Sequence, residues 1–262
     1  MLVKTHKEKR VFVITLDAPP ANCYSYAMMR ALDEAILEAR ASSDSDVILI
    51  TGAGDRFFCA GADVDMLRAS TPLAKYNFCL HANETLLRLE NTPKLVIAAI
   101  NGHCVGGGLE VALACDLRIA RKDAGKLGLP EVKLGVLPGT GGTARLTRLM
   151  GKGAAMELLV SGRLLSTEEA MRNGLLHQVI EANSSSEFLA AVVQYAEQFC
   201  APTSAPTAIG YIKRAVQSGG EMAQAEHLAL ERELQQQLFV SQDAKEGIAA
   251  YLEKRPAQFH GA

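Results

Sequence analysis

The chain has 262 residues, of which 48% are hydrophobic, so it can bury a core without a disulfide or a metal. Its formal net charge is −2 and its lysines and arginines do not cluster, which argues against nucleic acid as a partner. The six cysteines form no C-x-x-C pair, the N-terminus turns polar at once, and the apolar runs are too short to cross a bilayer. We therefore expect no membrane partner, buried free thiols and a reducing cytoplasm.

The first half of the chain has the pattern of strands that alternate with helices. Residues 10–16 and 47–51 are β-branched and apolar, which is typical of strands, and residues 26–41 place apolar side chains at helical spacing. This order predicts a crossover unit in an α/β layer. A second cycle follows, with strands predicted at 95–100 and 116–120 and helices at 75–90 and 106–115.

From about residue 143 onward the sequence predicts helices only. Ser166 and Glu169 have the spacing of a capping box at a helix start. Long amphipathic helices are predicted at 187–199, 203–217, 222–239 and 242–253. The chain therefore reads as an α/β part to about residue 195 and a helical C-terminal part, which must pack on the core or on a neighbouring subunit.

Three consecutive glycines at 106–108 follow a predicted buried strand and open a helix. They leave backbone N–H groups uncovered at a helix N-terminus, which suits a developing anion such as an enolate. A hinge for close packing of helix on sheet is the alternative. Glu110 follows among apolar neighbours, so a buried carboxylate for proton transfer competes with a surface residue that complements the helix dipole.

Two further stretches contain candidate site residues. Glu131 lies 21 residues after Glu110 with a strand between them, so both carboxyl groups can face one cleft from different elements. The small residues of the turn at 57–64 either admit a ligand close to the backbone or form a plain loop between strand and helix. By spacing alone, neither observation identifies a reaction.

Several familiar sites are disfavoured by the sequence. Gly139 to Ala144 match the loose G-x-G-x-x-G/A pattern, but the helical segment that follows argues against a dinucleotide site. The histidines lack metal-ligand spacing and no G-x-S-x-G elbow is present. Cys104 precedes the glycines, but nothing marks a base that would activate it. We therefore expect no metal site.

Three stretches carry a family resemblance: CAGAD at 59–63, the run 98–110 and the run 129–142. In this order and spacing the chain resembles the enoyl-CoA hydratase/isomerase (crotonase) superfamily, and within it the hydratases with two glutamates. The resemblance implies an α/β fold of stacked ββα units with a helical C-terminal trimerisation region. Residues 1–195 would form the CoA-binding catalytic domain and residues 196–262 the oligomerisation region.

The resemblance also implies roles for individual residues. The backbone N–H groups of Ala62 and Gly107 match the oxyanion hole for the thioester oxygen. Glu110 matches the base that activates water, Glu131 the acid that protonates the α-carbon, and Gly139 a loop position that places the water. A proton exchange near neutral pH requires the pKa of at least one glutamate to lie above its usual value.

Coenzyme A binding is the other implied property. Ala60, Ala62 and Val64 match the turn that holds the adenine end of CoA. Lys254 matches a basic position that meets CoA phosphates, often across a subunit boundary, although a solvated lysine at a helix end is the plainer interpretation. The chain departs from the family in the turn at 17–22, which lacks basic residues, and at Leu127, where an aromatic residue is common.

The resemblance thus predicts an enoyl-CoA hydratase that forms a homotrimer or homohexamer and takes an acyl-CoA substrate. Coenzyme A is part of that substrate, and no separate cofactor is expected. Isomerases of the superfamily often keep one carboxylate, so the two glutamates favour hydration. A double-bond isomerase, a dienoyl-CoA hydratase of ring degradation and an inactive CoA-binding scaffold are the alternatives. The acyl pocket is expected between the 66–90 helical region and the 139–150 segment.

Overall fold

The computed structural model of the protein describes residues 2–261. The strands are β1 (Val3–Glu8), β2 (Val11–Leu16), β3 (Val47–Gly52), β4 (Phe57–Cys59), β5 (Leu95–Ile100), β6 (His103–Val105), β7 (Leu117–Arg121), β8 (Leu127–Gly128) and β9 (Gln178–Ile180). The helices are α1 (Tyr26–Ala41), α2 (Val64–Ala69), α3 (Pro72–Glu90), α4 (Gly107–Leu113), α5 (Gly142–Ser161), α6 (Thr167–Arg172), α7 (Ser185–Glu197), α8 (Pro206–Gly219), α9 (Gln224–Phe239) and α10 (Gln242–Glu253). A 3-10 helix spans Glu131–Leu134.

The larger sheet has the strand order β1-β2-β3-β5-β7-β9 and is parallel except for the β1–β2 hairpin. Helix α1 connects β2 to β3, which confirms the predicted crossover unit. Successive side chains of a strand face opposite sides of a sheet. Ile14 accordingly belongs to the cluster that contains residues of α1, and Val13 to the cluster that contains Phe188 of α7. Both faces are covered, which is why β2, β3 and β5 are almost entirely apolar.

The smaller sheet, β4-β6-β8, brings the sequence motifs together. Its strands are parallel, with Cys59 opposite Cys104 and Cys104 opposite Leu127. Carboxyl ends of neighbouring parallel strands lie at one edge of a sheet, where α/β proteins commonly bind ligands. The segments that follow β4, β6 and β8 begin at Ala60, Gly106 and Leu129. Three motifs that are far apart in sequence therefore meet at one edge.

The C-terminal helices pack partly on the α/β core. Helix α8 contacts β5 and α9, and the buried ammonium of Lys213 lies 2.8 Å from a carboxylate oxygen of Asp116. The prediction of helices only after residue 143 is wrong, because β9 pairs with β7 at the sheet edge. The predicted division between residues 195 and 196 falls inside α7 and stays a prediction. Among residues 2–261, no helix is both long and apolar enough to span a membrane.

Candidate active site

A cavity of about 650 Å³ opens where β4, β6 and β8 end. The predicted site residues that line it are Ala60, Ala62, Val64, Gly107, Glu110, Glu131 and Gly139. The structure thus brings both glutamates into one cleft with the two proposed backbone donors. Leu67 to Lys75 form part of the wall, as expected for the 66–90 region, but the 139–150 segment contributes only Gly139 and Thr140. The 3-10 helix and the residues after it add Leu134 and two further apolar side chains.

The backbone N–H groups of Ala62 and Gly107 are free to bind an oxygen. Within the described residues, neither group donates a hydrogen bond to another protein atom. The loops that carry them approach closely, because a β-carbon on Gly61 would lie 3.0 Å from the Gly107 nitrogen. Gly61 also has φ +88°, a conformation that favours glycine. Two unused donors side by side at a buried turn can stabilise an oxyanion.

Glu110 is a buried carboxylate with a full set of donors on one oxygen. It lies on the short buried helix α4 and is 2% exposed. Its Oε1 accepts hydrogen bonds from the backbone N–H groups of Thr140 and Gly142, both at 2.8 Å. Its Oε2 accepts one from the Thr140 hydroxyl. Three donors therefore hold the two oxygens of this carboxylate in one orientation.

The loop that supplies these donors is fixed by Arg145. This buried side chain donates from Nη1 to the Thr140 carbonyl oxygen at 3.1 Å. Its Nε and Nη2 each bond a different carboxylate oxygen of Glu90 at 2.8 Å. A bidentate arginine pair of this kind holds its partners in one geometry. Arg145 therefore connects the loop at Thr140 to helix α3.

Glu131 has the opposite surroundings. Its Oε2 is buried without a hydrogen-bond partner among the described residues, and its Oε1 lies 3.0 Å from where a β-carbon on Gly106 would be. Burial, together with the nearby charge of Glu110, raises the pKa of Glu131 to about 7, although Lys75 and the backbone N–H of Glu131 itself act the other way. A carboxyl group that titrates there can donate a proton near neutral pH. The expectation of one raised glutamate pKa is met.

Tyr24 and Thr140 also line the cavity, although the sequence does not single them out. The Tyr24 hydroxyl lies 3.3 Å from the Thr140 hydroxyl, and its ring stacks on Phe78 with centroids 5.5 Å apart. Any side chain on Gly107 would overlap this phenol, because its β-carbon would lie 1.7 Å from the hydroxyl oxygen. Thr140 lies in the run 129–142 that carries the family resemblance, but the sequence assigns it no role.

The remaining predicted positions lie elsewhere. Lys254 is exposed at the end of α10 and does not line the cavity of its own chain. Leu127 is fully buried in the core and does not line this cavity. In the turn at 17–22, the Asn22 amide donates to backbone carbonyl oxygens, which is a structural role. Arg68 and Lys75 are the cationic side chains that line the cavity.

Residues 2–261 contain no cluster of three side chains suited to bind a metal ion. The cysteines are unpaired, and those in β4, β6 and at the end of α4 are fully or almost fully buried. Burial raises the pKa of the Cys59 thiol to about 12, which keeps it protonated and unreactive. The polar lining of the cavity includes the carboxyl groups of Glu110 and Glu131, hydroxyl side chains such as those of Tyr24 and Thr140, and the cations Arg68 and Lys75.

Comparison with known proteins places this cavity in a family context. The model of the family described as enoyl-CoA hydratase/isomerase matches residues 6–262. The chain is 36% identical over 250 residues to the short-chain-enoyl-CoA hydratase of Clostridium acetobutylicum, which covers 95% of this chain and 94% of that protein. It is 34% identical over 254 residues to the crotonyl-CoA hydratase of Syntrophomonas wolfei, covering 97% and 95% of the two chains.

Solved structures give the same result for the fold. The crystal structure of an enoyl-CoA hydratase from Geobacillus kaustophilus superposes with a TM-score of 0.95 at 40% identity, covering 100% of this chain and 97% of that chain. The structure of DspI from Pseudomonas aeruginosa has a TM-score of 0.92 at 34% identity, covering 99% and 97%. The similarity extends along the whole chain rather than over one motif.

Proposed function

This chain belongs to the enoyl-CoA hydratase/isomerase family, and we propose that Glu110 and Glu131 are the base and acid with which it works as an enoyl-CoA hydratase. The names of its short-chain-enoyl-CoA and crotonyl-CoA hydratase relatives support hydration as the activity. The observation that carries the mechanism is the contrast between the two carboxyl groups in one cavity. Glu110 accepts three hydrogen bonds, whereas Glu131 keeps a buried oxygen without a partner.

In the proposed reaction, ionised Glu110 takes a proton from a water molecule that the Gly139 loop helps to place. The water oxygen forms a bond to the β-carbon of the enoyl group, and the π electrons move to the thioester oxygen. The N–H groups of Ala62 and Gly107 hold the resulting enolate. When the enolate collapses, its α-carbon takes a proton from Glu131. Donors that bind the enolate more strongly than the substrate lower the barrier.

One turnover leaves Glu110 protonated and Glu131 ionised, so a proton must return before the next hydration. The same groups run the reaction backwards as a dehydration, with Glu131 as base. We propose that no separate cofactor takes part, because two carboxyl groups and two backbone donors supply every proton and the charge stabilisation. Coenzyme A belongs to the substrate. Ala60 and Val64 line the cavity, which supports the proposal that their turn holds the adenine end of coenzyme A.

The experiment follows purified protein with crotonyl-CoA by loss of the conjugated enoyl absorbance. We expect hydration by the natural chain and a loss of about 100-fold or more in kcat for both Glu110→Gln and Glu131→Gln. Glu84→Gln, an exposed position on α3, is the matched control and keeps full activity. Full activity in both site variants would contradict the mechanism. Loss in only one of them would contradict the division of labour between two carboxyl groups, and a natural chain that does not hydrate crotonyl-CoA would favour a double-bond isomerase.

A panel of straight-chain, branched, cyclic and dienoyl-CoA substrates then identifies the acyl group. The wall of the cavity contains Leu67, Leu134, Val136 and Leu137, so an apolar acyl chain fits it. Binding of CoA without turnover of any member of the panel would favour an inactive scaffold instead.

We further propose that the chain assembles as a homotrimer or homohexamer through its C-terminal helices. Large apolar side chains are strongly exposed on or beside α8, α9 and α10: Ile212, Val216, Phe239, Val240, Tyr251 and Leu252. An open cavity of about 780 Å³ is lined by residues of α8 and α9. Apolar surface on this scale is typical of an interface. Light scattering after gel filtration tests the assembly, and a monomer at micromolar concentration would contradict it.

Two consequences follow for the rest of the protein. Lys254 does not line the cavity of its own chain. Any contact of Lys254 with CoA phosphates would therefore have to be made in the cavity of a neighbouring subunit. The unpaired cysteines support a reducing cytoplasm as the location.

A further inference from the structure

Two hydroxyl groups in the cavity have no role in the mechanism above. Tyr24 precedes helix α1, and Thr140 lies in the loop before α5, 116 residues later in the chain. Their side chains are 4% and 2% exposed, so bulk water does not satisfy them. The oxygen atoms of the two hydroxyls are 3.3 Å apart, and the Thr140 hydroxyl also contacts Oε2 of Glu110. Tyr24, Thr140 and Glu110 therefore form one continuous chain of polar atoms.

The direction of these hydrogen bonds follows from counting protons. A hydroxyl group has one proton to donate and an ionised carboxylate has none. Thr140 donates its only hydroxyl proton to Glu110, so its oxygen can only accept from Tyr24. Burial and the charge of Glu110 raise the pKa of the Tyr24 phenol well above its usual value, so the phenol retains its proton. The order of donation is Tyr24 to Thr140 to Glu110.

Counting lone pairs shows what this order does to Glu110. A carboxylate offers about four acceptor positions, two on each oxygen. The backbone N–H groups of Thr140 and Gly142 fill Oε1, and the Thr140 hydroxyl takes one position on Oε2. One position on Oε2 is left. Without the hydroxyl, the carboxylate could turn about its last bond and present Oε2 in more than one orientation.

We propose that Tyr24 and Thr140 form a hydroxyl relay that orients Glu110 and leaves a single lone pair of Oε2 to receive the proton of the attacking water. Both are positioning residues, since they act through Glu110. The relay rests on the proposed function, because the base it orients is the base of the hydration. The ring of Tyr24 is itself held by stacking on Phe78 and by contact with Gly107, so the first donor of the relay is fixed.

Substitutions that remove single hydroxyl groups test the relay. We expect Thr140→Val to lower kcat for crotonyl-CoA about tenfold with KM within about twofold, because a hydrogen bond to a charged group is lost while substrate contacts remain. Thr140→Ser restores the hydroxyl and recovers most of kcat. Tyr24→Phe lowers kcat about threefold, since it removes only the donor behind Thr140. Thr143→Val, exposed near the start of α5, is the matched control without effect.

The double variant decides whether the two hydroxyls act in series. In a relay, Tyr24→Phe adds nothing to Thr140→Val, because the atom that Tyr24 supports is already gone. An equal further loss of kcat in the double variant would show independent action and overturn the relay. Wild-type kcat in Thr140→Val, with folding verified by thermal unfolding, would also overturn it.

A crystal structure of Thr140→Val beside that of the natural chain gives a readout that does not depend on turnover. We expect the Glu110 carboxylate to rotate or to occupy two orientations in the variant. An unchanged carboxylate would overturn the relay even if the chain hydrates no substrate of the panel. Failure of the natural chain in the assay would overturn the hydratase mechanism alone, so the two proposals fail separately.

Discussion

Glu110 and Glu131 face the same cavity but are held in different ways. Glu110 lies on a helix in which every residue is buried, and its oxygens accept two backbone N–H groups and a hydroxyl. Glu131 begins a 3-10 helix whose other residues are exposed, and one of its oxygens has no partner in the described part of the chain. Two side chains of one type thus have opposite surroundings.

In the proposed mechanism, surroundings rather than residue type divide base from acid. Three donors bind the carboxylate of Glu110, whereas Glu131 keeps one buried oxygen without a partner, and burial raises the pKa of Glu131 to about 7. The charge of Glu110 also contributes to the raised pKa of Glu131, after burial. The following substitutions alter one side of this contrast at a time.

The largest effect is expected on the Glu110 side from Arg145→Met. The change removes the partner of Glu90 and the donor to the Thr140 carbonyl oxygen. Breaking a buried ion pair in this way costs about 3 kcal/mol in the free energy of unfolding, because a carboxylate stays behind uncompensated. The loop that orients Glu110 loosens, so kcat falls as well. Urea unfolding at fixed protein concentration measures the loss of stability, and the crotonyl-CoA assay measures the loss of kcat.

Arg163→Met is the matched control for that change. Arg163 pairs with Glu157 at the surface, and both side chains are well exposed, so its loss is worth well under about 1 kcal/mol. If the Arg145 and Arg163 variants had the same free energy of unfolding and the same kcat, the loop at Thr140 would not be what orients Glu110.

An intermediate effect concerns stability and pH on the Glu131 side. Its pKa of about 7 in the folded protein lies above the usual 4.5, so the folded state binds the proton more tightly. The stability that this proton provides is complete below pH 4.5 and is lost as the pH rises through 7. Glutamine does not ionise, so the Glu131→Gln variant lacks this pH-dependent contribution to stability. After allowance for solvent screening, we expect the free energy of unfolding of the natural chain to fall by about 1 kcal/mol more than that of the variant between pH 5 and pH 8.

Urea unfolding of both proteins at the two pH values measures this difference. Glu84→Gln, with its exposed carboxylate, serves as the control and follows the natural chain. If the free energy of unfolding of Glu131→Gln changed between pH 5 and pH 8 as much as that of the natural chain, Glu131 would not be titrating in that range.

The smallest effect is expected from Lys75→Met. The Lys75 charge lowers the pKa of Glu131, so its removal raises that pKa further. Hydration needs protonated Glu131, and the alkaline limb of the kcat/KM profile, near pH 7, should move up by about 0.3 units. Lys152→Met, on the exposed surface of α5, leaves the limb in place. A downward shift in the Lys75 variant would contradict the assigned charge effect.

Much of the fold and part of the site could be predicted from the sequence. Strands of six residues and amphipathic helices have enough length for a pattern, which is why β3, β5 and α10 lie almost where they were predicted. Strands β4, β6 and β9 have only three residues each. They exist through pairing with distant neighbours, and no local pattern marks them.

The sequence by itself determined the order of the α/β elements and the residues that could do chemistry. It determined that glycines, Glu110 and Glu131 follow strands, since composition and spacing are local properties. Only the tertiary structure decided how each glutamate is held. The donors of Glu110 come from Thr140, 30 residues away, and from Tyr24 beyond it. Hydrogen bonds depend on atoms within about 3.5 Å in space, and distance along the chain does not predict them.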